Sequence, residues 1–247
     1  MAWDNLNLSD KDSLMKLYIK GGIKDLNIMK SHYNQYADGG LLSKDKNLPF
    51  YFTDVSKEIT EAGNAPIDMD NANFALNYLK RNGMSDKQAS VIIGNFSVES
   101  NMDPKSRERG GPGVGYEQRK VGTDRHLDAQ KYYRNTGANL KYNVDAQKQL
   151  EYVVKVWREE TENLRRNPNA QGAIHKNEWT HGGKGSGYSS FKEPLNIFNN
   201  PDADIKEMSE AFRKGYLRPN PETTHADRRM KISESLLKAI KDSRMKQ

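Results

Sequence analysis

The sequence predicts a mainly α fold that carries one small hairpin or loop region and is preceded by a short helical segment. From about residue 67 onward, apolar residues recur at the three- and four-residue spacing of an amphipathic helix in one segment after another. Few segments show the strict alternation of a half-buried strand. A glycine-rich stretch at residues 110–115 (GGPGVG) interrupts the helices, and its composition is typical of a loop or a short hairpin.

The sequence pattern divides the chain into three parts. Residues 1–40 contain two short apolar stripes, which predict two short helices. Because short helices bury little apolar surface by themselves, we expect this segment to dock on the main domain or on a partner. Residues 41–66 show little periodicity and are predicted to be a linker. Residues 67–247 are predicted to form the folded domain.

The helices of that domain begin and end at recognisable signals. The first is predicted to end at Asn82-Gly83. Ser85, with Gln88 three residues later, has the pattern of a capping box and starts the second. Four more helices are predicted at roughly 124–135, 143–166, 203–216 and 222–242, and a polar, glycine-containing loop at about 177–200.

Composition excludes several kinds of chemistry. The chain has 247 residues, of which 35% are hydrophobic and 29% charged, enough for one modest core. It has no cysteine, which excludes disulfides, thiolate zinc sites and cysteine-dependent wall peptidases. None of its 5 histidines lies in an HExxH pattern. We therefore expect neither a metal site nor a cofactor.

Charge and hydropathy limit the partners that the sequence favours. The net charge of +6 suits a polyanionic partner or simply a solvated basic surface. Arg228, Arg229, Lys231 and Lys238 are expected to form a solvated face of the last helix, and without interleaved aromatic residues they do not favour nucleic acid. No apolar run approaches the roughly 20 residues of a membrane span. The first residues lack the pattern of a secretory signal. If the protein acts outside the cytoplasm, we expect something else to carry it out.

One carboxylate lies where the helical pattern favours an apolar side chain. Glu99 follows Phe96 by three residues and Ile92 by seven, so it continues the apolar face of the second helix. Positions 95 and 96 are Asn and Phe, so no basic residue lies one turn earlier. Partial burial of a carboxyl group without a cation raises its pKa, and a protonated carboxyl can give its proton to a leaving oxygen. Glu99 is therefore a candidate general acid, and an ordinary polar residue at a fraying helix end is the alternative.

Three short elements share features with one family. Residues 94–104 read GNFSVESNMDP, residues 113–118 read GVGYEQ, and residues 212–219 read FRKGYLRP. In this order they resemble the GN…ES…NP, GxGxxQW and F…YERP elements of the phage tail lysozymes, the peptidoglycan-cutting domains of phage tail proteins. The Glu-Ser at the end of a helix, followed by a glycine-rich turn and a glutamine, is also similar to the lytic transglycosylases. The resemblance covers about residues 67–242.

This resemblance implies a lysozyme-like α+β fold and attack on the β-1,4 glycan backbone of peptidoglycan. Glu99 would be the general acid, and Gln118 would line the substrate cleft. Tyr216 would support the site from the C-terminal helix, unless it is only a packing aromatic. Tyr116 and Asn95, which lie within the matching elements, would contribute to substrate binding.

The sequence departs from the family pattern at two positions. Arg119 stands where the family has a Trp, which weakens sugar stacking at that position, and Tyr116 could supply a ring instead. Leu217 stands where the YERP element has its Glu, a carboxylate to which no role is assigned. Neither departure touches Glu99, so the two positions bear on substrate preference more than on the acid.

The sequence leaves the second catalytic carboxylate open. Glu108, Glu117 and Asp124 are the candidates, and solvated surface charge is the alternative for each. An inverting hydrolase needs the second carboxyl group about 6.5–9.5 Å from the acid, and a retaining one needs it at about 5–5.5 Å. If none of them is placed there, a transglycosylase route remains, in which Glu99 is acid and then base and the 6-hydroxyl of the sugar replaces water.

These observations predict a peptidoglycan glycosidase of the phage particle that opens the cell wall as the phage enters its host. Its partners would be peptidoglycan strands and, through residues 1–40, tail or capsid proteins. It would travel in the virion and act at the host cell wall or periplasm. The competing hypothesis is a structural virion protein, or one associated with DNA, that keeps a lysozyme-like fold without activity.

Overall fold

A computed structural model describes Lys11, Met15 and residues 67–108, 110–134, 145–176, 178–180, 186–218 and 225–245. The chain divides into two compact units, Met1–Asp54 and Val55–Gln247. In the first unit, Lys11 and Met15 are half-buried and helical. The other predictions for residues 1–40 and the predicted linker at 41–66 lie outside the described residues.

The described part of the second unit is mainly α, which confirms the predicted fold class. Its helices and strands, in chain order, are α1 Met69–Arg81, α2 Asp86–Ser100, β1 Gly113–Val114, β2 Arg119–Lys120, α3 Asp124–Arg134, α4 Ala146–Arg166, α5 Lys192–Asn199, α6 Ile205–Ala211 and α7 Ala226–Met245. A π-helical turn, Phe212–Leu217, continues α6. Among these helices, none combines the length and the apolar character that a bilayer span requires.

Local sequence signals set most helix ends. Ser85 accepts a hydrogen bond from the Gln88 main chain, and the Gln88 side chain accepts one from the Ser85 N–H, so the predicted capping box is present. Asn82 ends α1, also as predicted. Asp204 and Glu207 form a second capping box at the start of α6. Each box satisfies main-chain N–H groups that have no partner within their helix.

The predicted loop at 177–200 is wrong in one part, because it contains α5. This helix has only eight residues, and its N-cap Phe191 makes no side-chain capping bond, so it lacks the usual sequence signal. Burial of Leu195 and Phe198 stabilises it instead. Gly215 lies against it: a Cβ at this position would be 2.6 Å from Pro194 Cβ, so only glycine allows the close approach.

The core lies where α2 packs against α6, α7 and the π-helical turn. Phe96 of α2 contacts Phe212, whose ring stacks on Tyr216 with a centroid distance of 4.8 Å. Trp179, 1% exposed, packs edge-on against Phe212. The aromatic cluster therefore fixes the C-terminal elements against the helix that carries Glu99.

Candidate active site

Glu99 is the penultimate residue of α2. Ile92 and Phe96, on the same face, are fully buried, as the helical spacing predicts. The side chain of Glu99 is 15% exposed, so its carboxylate lies at the solvent-facing end of this face. The chain leaves the helix through Asn101 and Met102, which have positive φ angles of 52° and 63°. The helix therefore ends one residue after Glu99, at a left-handed C-cap.

A cation lies beside this carboxylate. Arg229 of α7 donates from Nη2 to Oε1 of Glu99 at 2.7 Å. The prediction that Glu99 lacks a neutralising cation is therefore wrong, because the partner comes from a helix 130 residues away in the chain. The prediction of a solvated face is also wrong for Arg229, which is 2% exposed.

Asn95 holds the other side of the same guanidinium group. Nη1 of Arg229 donates to the Asn95 main-chain oxygen at 3.1 Å and to Oδ1 at 3.4 Å. Asn95 is fully buried, and its Nδ2 donates to the main-chain oxygen of Val91 and to the hydroxyl of Ser209. This side chain has no surface for a substrate, contrary to the predicted binding role.

Burial and charge act in opposite directions on Arg229. Burial lowers the pKa of its guanidinium, and the neighbouring Glu99 carboxylate raises it, with a net lowering. The charges of Arg213 and Arg228 add to the lowering. Arg229 thus lies in a locally basic region, and Glu99 supplies the opposite charge.

The glycine-rich element forms the predicted hairpin. Its strands are antiparallel, with Gly113 opposite Lys120 and Val114 opposite Arg119. Glu108 is exposed, and its Oε2 accepts a hydrogen bond from the Gly113 N–H at 3.1 Å. Glu108 therefore stabilises the hairpin through this hydrogen bond and still exposes its carboxylate to solvent.

Gln118 lies at the turn of the hairpin in a left-handed conformation, with φ of 45°. Its Nε2 donates to the main-chain oxygen of Gly115 at 2.7 Å, and the side chain is half-buried. The amide therefore stabilises the turn, while part of the side chain stays accessible, as a residue lining a cleft requires.

Asp124, another candidate for the second catalytic carboxylate, lies at the start of α3 and is exposed.

Behind the hairpin lies a buried ion cluster, which consists of Glu117, Arg119, Arg125 and Glu178. Arg119 donates from Nη1 to Oε1 of Glu178 at 2.7 Å and from Nη2 to Oε2 of Glu117 at 2.8 Å. Arg125 of α3 binds the same two carboxylates. The side chains of Arg119 and Glu178 are 2% and 0% exposed. Two arginines and two glutamates thus balance one another inside the domain.

Tyrosines complete the hydrogen bonding of the buried ion cluster. The Tyr216 hydroxyl accepts from Nη2 of Arg119 at 3.2 Å and donates to Glu117 at 3.3 Å. Tyr152 donates to Glu178 at 3.0 Å. Burial raises the pKa of Tyr216 well above its usual value, and the two glutamates raise it further, so the hydroxyl stays protonated and can donate. Tyr216 is 1% exposed and contacts the buried ion cluster from inside the core, so its support of a catalytic site stays a prediction.

Tyr116 does not have the exposed ring that sugar stacking requires. It is fully buried, and its ring stacks on Phe96 with a centroid distance of 5.7 Å. Its main-chain N–H donates to the side chain of Gln149 at 2.8 Å. The structure therefore contradicts the expectation that Tyr116 replaces the family's Trp in stacking on sugar, and it gives the ring a packing role beneath Glu99's helix.

A comparison with known families gives the protein its class. The sequence model of the phage tail lysozyme family matches residues 70–240. The chain belongs to the phage tail lysozyme family. It is thus a lysozyme-like peptidoglycan hydrolase of phage, with glycoside hydrolysis as its general activity. No curated protein and no solved structure matches the chain.

Sequence reasoning missed three charged residues of this phage tail lysozyme: Arg229, Arg125 and Glu178. A signal for Arg229 was present, because it lies three residues before Ile232 and seven before Leu236, both fully buried. The helical spacing that places Glu99 on the apolar face of α2 therefore also places Arg229 on the apolar face of α7. Glu178 carries no such signal, since its partners Arg119 and Arg125 lie 59 and 53 residues away. Arg125 lies only 8 residues from Glu117, but no helical spacing links the two, because Glu117 precedes β2 and Arg125 lies in α3.

Among the described residues of the phage tail lysozyme, no group of three or more His, Cys, Asp or Glu side chains is arranged to hold a metal ion. Residues 181–185 of the predicted polar loop are outside the described residues. The groups that the structure does bring together are Glu99 with Asn95, through Arg229, and Glu117 with Tyr216, beside Arg119.

Proposed function

We propose that the protein is a muramidase-type glycosidase that cleaves the β-1,4 glycan backbone of peptidoglycan with Glu99 as general acid. The observation that supports this role is the position of the carboxylate. It lies at the end of a buried apolar face and is still 15% exposed, so it can reach a bound sugar. Membership of the phage tail lysozyme family supplies the class of substrate.

Arg229 assigns different roles to the two oxygens of Glu99. It donates to Oε1, whereas Oε2 accepts no hydrogen bond from any described residue. Oε2 is therefore the oxygen that can carry the proton to the leaving group.

The exposed carboxylates Glu108 and Asp124 are the candidates for the second catalytic group. Each can approach a bound glycan or activate a water molecule. Glu117 is bound by two arginines and a tyrosine within the buried ion cluster, and that engagement favours a structural role for it. If neither exposed carboxylate contributes, the transglycosylase route remains, in which Glu99 acts as acid and then as base.

The release of soluble fragments from purified peptidoglycan tests this function. We expect release by the wild type and by Glu162→Gln, a matched change at a glutamate of α4 whose side chain is 39% exposed, and little release by Glu99→Gln. Equal release by Glu99→Gln and the wild type would overturn the role of Glu99. No release by the wild type would favour a structural virion protein. Mass spectrometry of the products separates hydrolysis from transglycosylation, because only the latter leaves an anhydro end.

We also propose that the protein is part of the virion and opens the wall as the phage enters its host. Residues 1–40 would attach it to tail or capsid proteins. The support is the phage tail lysozyme family and the helical state of Lys11 and Met15. A protein that lacks residues 1–60 should be absent from purified particles, and its normal incorporation would contradict this docking role.

A further inference from the structure

We propose that Arg229 is a positioning residue that holds the carboxyl group of Glu99 in its working orientation. This inference rests on the proposed role of Glu99. Nη2 binds Oε1 of Glu99, and Nη1 binds Asn95, one turn earlier on the same helix. One planar guanidinium thus spans the last turn of α2 and fixes the end of a side chain that has three rotatable bonds.

The guanidinium itself is held firmly. Asn95 receives it on a main-chain oxygen, and the Asn95 side chain is fixed in turn by Val91 and Ser209. Arg229 is 2% exposed, so neighbouring atoms restrict its rotamer. Catalytic side chains need partners of this kind, because a misplacement of about 1 Å can cost a factor of about 100 in rate.

Close packing between two helices brings Arg229 to this position. Gly94 of α2 lies against α7, where an added Cβ would be 2.9 Å from the Arg229 main-chain oxygen and 2.9 Å from the Ser233 nitrogen. Without a side chain at Gly94, the two helices approach until their main chains nearly touch. The glycine one position before Asn95 therefore sets the distance across which Arg229 reaches Glu99.

A purely stabilising role explains this arrangement less well. Arg229 is almost fully buried, and the desolvation of a buried ion pair often cancels its electrostatic gain, so an apolar residue of similar size would be about as stable there. The bond geometry, in contrast, suits orientation. Two donors of one rigid fork contact two groups that must keep a fixed relation, the Asn95 main chain and the Glu99 carboxylate.

The test compares kcat and KM of the full-length protein on peptidoglycan for three variants of Arg229 and Glu99. Arg229→Met should lower kcat about 100-fold with little change in KM, because it frees the carboxyl group without removing any surface that touches glycan. Arg229→Lys should recover part of kcat, since it keeps the charge but cannot bind both partners as a fork. Glu99→Gln is assayed in parallel.

Arg165→Met is the control, because Arg165 also pairs with a glutamate, Glu162 of its own helix, at 2.7 Å, and its side chain is 71% exposed. It should keep near wild-type kcat. Wild-type kcat in Arg229→Met would overturn the inference. If Arg229→Met does not fold, wild-type kcat in Arg229→Lys would overturn it instead. Full activity of Glu99→Gln would refute the proposed function itself, so the two failures are distinguishable.

A double variant separates positioning from general support. If Arg229 acts through Glu99, then adding Arg229→Met to Glu99→Gln should lower the residual rate little further, since each change alone already disables the same pair of residues. A further loss as large as in the wild-type background would show that Arg229 acts elsewhere and would overturn the inference.

Discussion

Arg119 and Glu178 form a two-point ion pair in the interior of the domain, with Nη1–Oε1 at 2.7 Å and Nη2–Oε2 at 3.1 Å. The two residues are 59 positions apart in the chain. The pair joins the hairpin to the segment after α4, and Arg125 of α3 binds the same glutamate. The position where the family has a Trp is therefore occupied by the centre of a buried ionic contact.

Removing this arginine should destabilise the domain strongly. In Arg119→Met, Arg125 alone must balance two buried carboxylates, and breaking a buried pair costs about 3–5 kcal/mol. Unfolding in urea, followed by circular dichroism, measures the loss. Glu162→Gln is the control, because its partners Arg165 and Arg166 are both more than half exposed, and it should leave the midpoint unchanged. A midpoint for Arg119→Met equal to that of the wild type would show that the buried ion cluster does not hold the fold.

The buried ion cluster also shows where sequence reasoning stops. The helices of the domain follow from local signals, such as the capping box at Ser85 and the stripe that includes Ile92 and Phe96. The charged residues of a glycine-rich hairpin, in contrast, read as exposed. Arg119 is buried and binds the Glu178 carboxylate and the main-chain oxygen of Arg125, both on other elements, and no local pattern predicts such contacts.

The candidate site shows the same division. The position of Glu99 on an apolar face follows from periodicity, and the structure places it there. Periodicity in the last helix likewise predicts that its partner Arg229 is buried, because Arg229 precedes the buried Ile232 by three residues and Leu236 by seven. The pairing of the two helices is a tertiary contact that depends on Gly94, and one sequence does not show which two faces meet.

Acid should unfold the domain partly through Glu178. Burial by itself raises the pKa of this carboxyl, but the charges and hydrogen bonds of Arg119 and Arg125 outweigh burial and hold the pKa at about 2. Since the unfolded value is about 4.3, this pair stabilises the fold fully above about pH 4 and loses its effect as the pH falls toward 2. Stability should therefore decline across this range more steeply in the wild type than in Glu178→Gln.

Salt distinguishes this contribution from that of surface pairs. The pKa of Glu162 is also about 2, lowered by hydrogen bonds from Arg165 and Arg166, but this pair lies in solvent. At about 1 M salt, where the Debye length is about 3 Å, its effect is screened. The difference between wild type and Glu178→Gln should persist in high salt. Its disappearance there would contradict a buried origin of the pH dependence.

Amide substitutions at the three candidate second carboxylates should separate structure from chemistry. Glu117→Gln should lower stability, because its carboxylate binds Arg119, Arg125 and Tyr216 in the core. Glu108→Gln and Asp124→Asn should leave the melting temperature nearly unchanged, because both side chains are exposed and a glutamine oxygen at position 108 can still accept the hydrogen bond from the Gly113 N–H.

The rate of fragment release then assigns the role. A loss of activity in Glu108→Gln or Asp124→Asn without a loss of stability would identify the second catalytic group. Full activity in both would favour the route in which Glu99 acts alone, and the anhydro end of the product would show it. If Glu117→Gln kept wild-type stability and lost activity, the structural role of Glu117 would be refuted.

Gly94→Ala should reduce both stability and activity. The new methyl group would meet the Ser233 hydroxyl and two main-chain atoms of α7, so the helices must separate, and overpacking of this kind costs about 1–3 kcal/mol. Separation also moves Arg229 away from Glu99, so kcat should fall at temperatures where the variant is folded. Adding Ser233→Ala to Gly94→Ala should restore little of the lost stability, because the main-chain oxygen of Arg229 and the nitrogen of Ser233 both remain 2.9 Å from the new Cβ.

Gly172→Ala is the matched control: its Cβ would meet nothing within 4 Å, and it should leave melting temperature and kcat unchanged. If Gly94→Ala lost stability but kept kcat, the distance between α2 and α7 would matter for the fold and not for the orientation of Glu99.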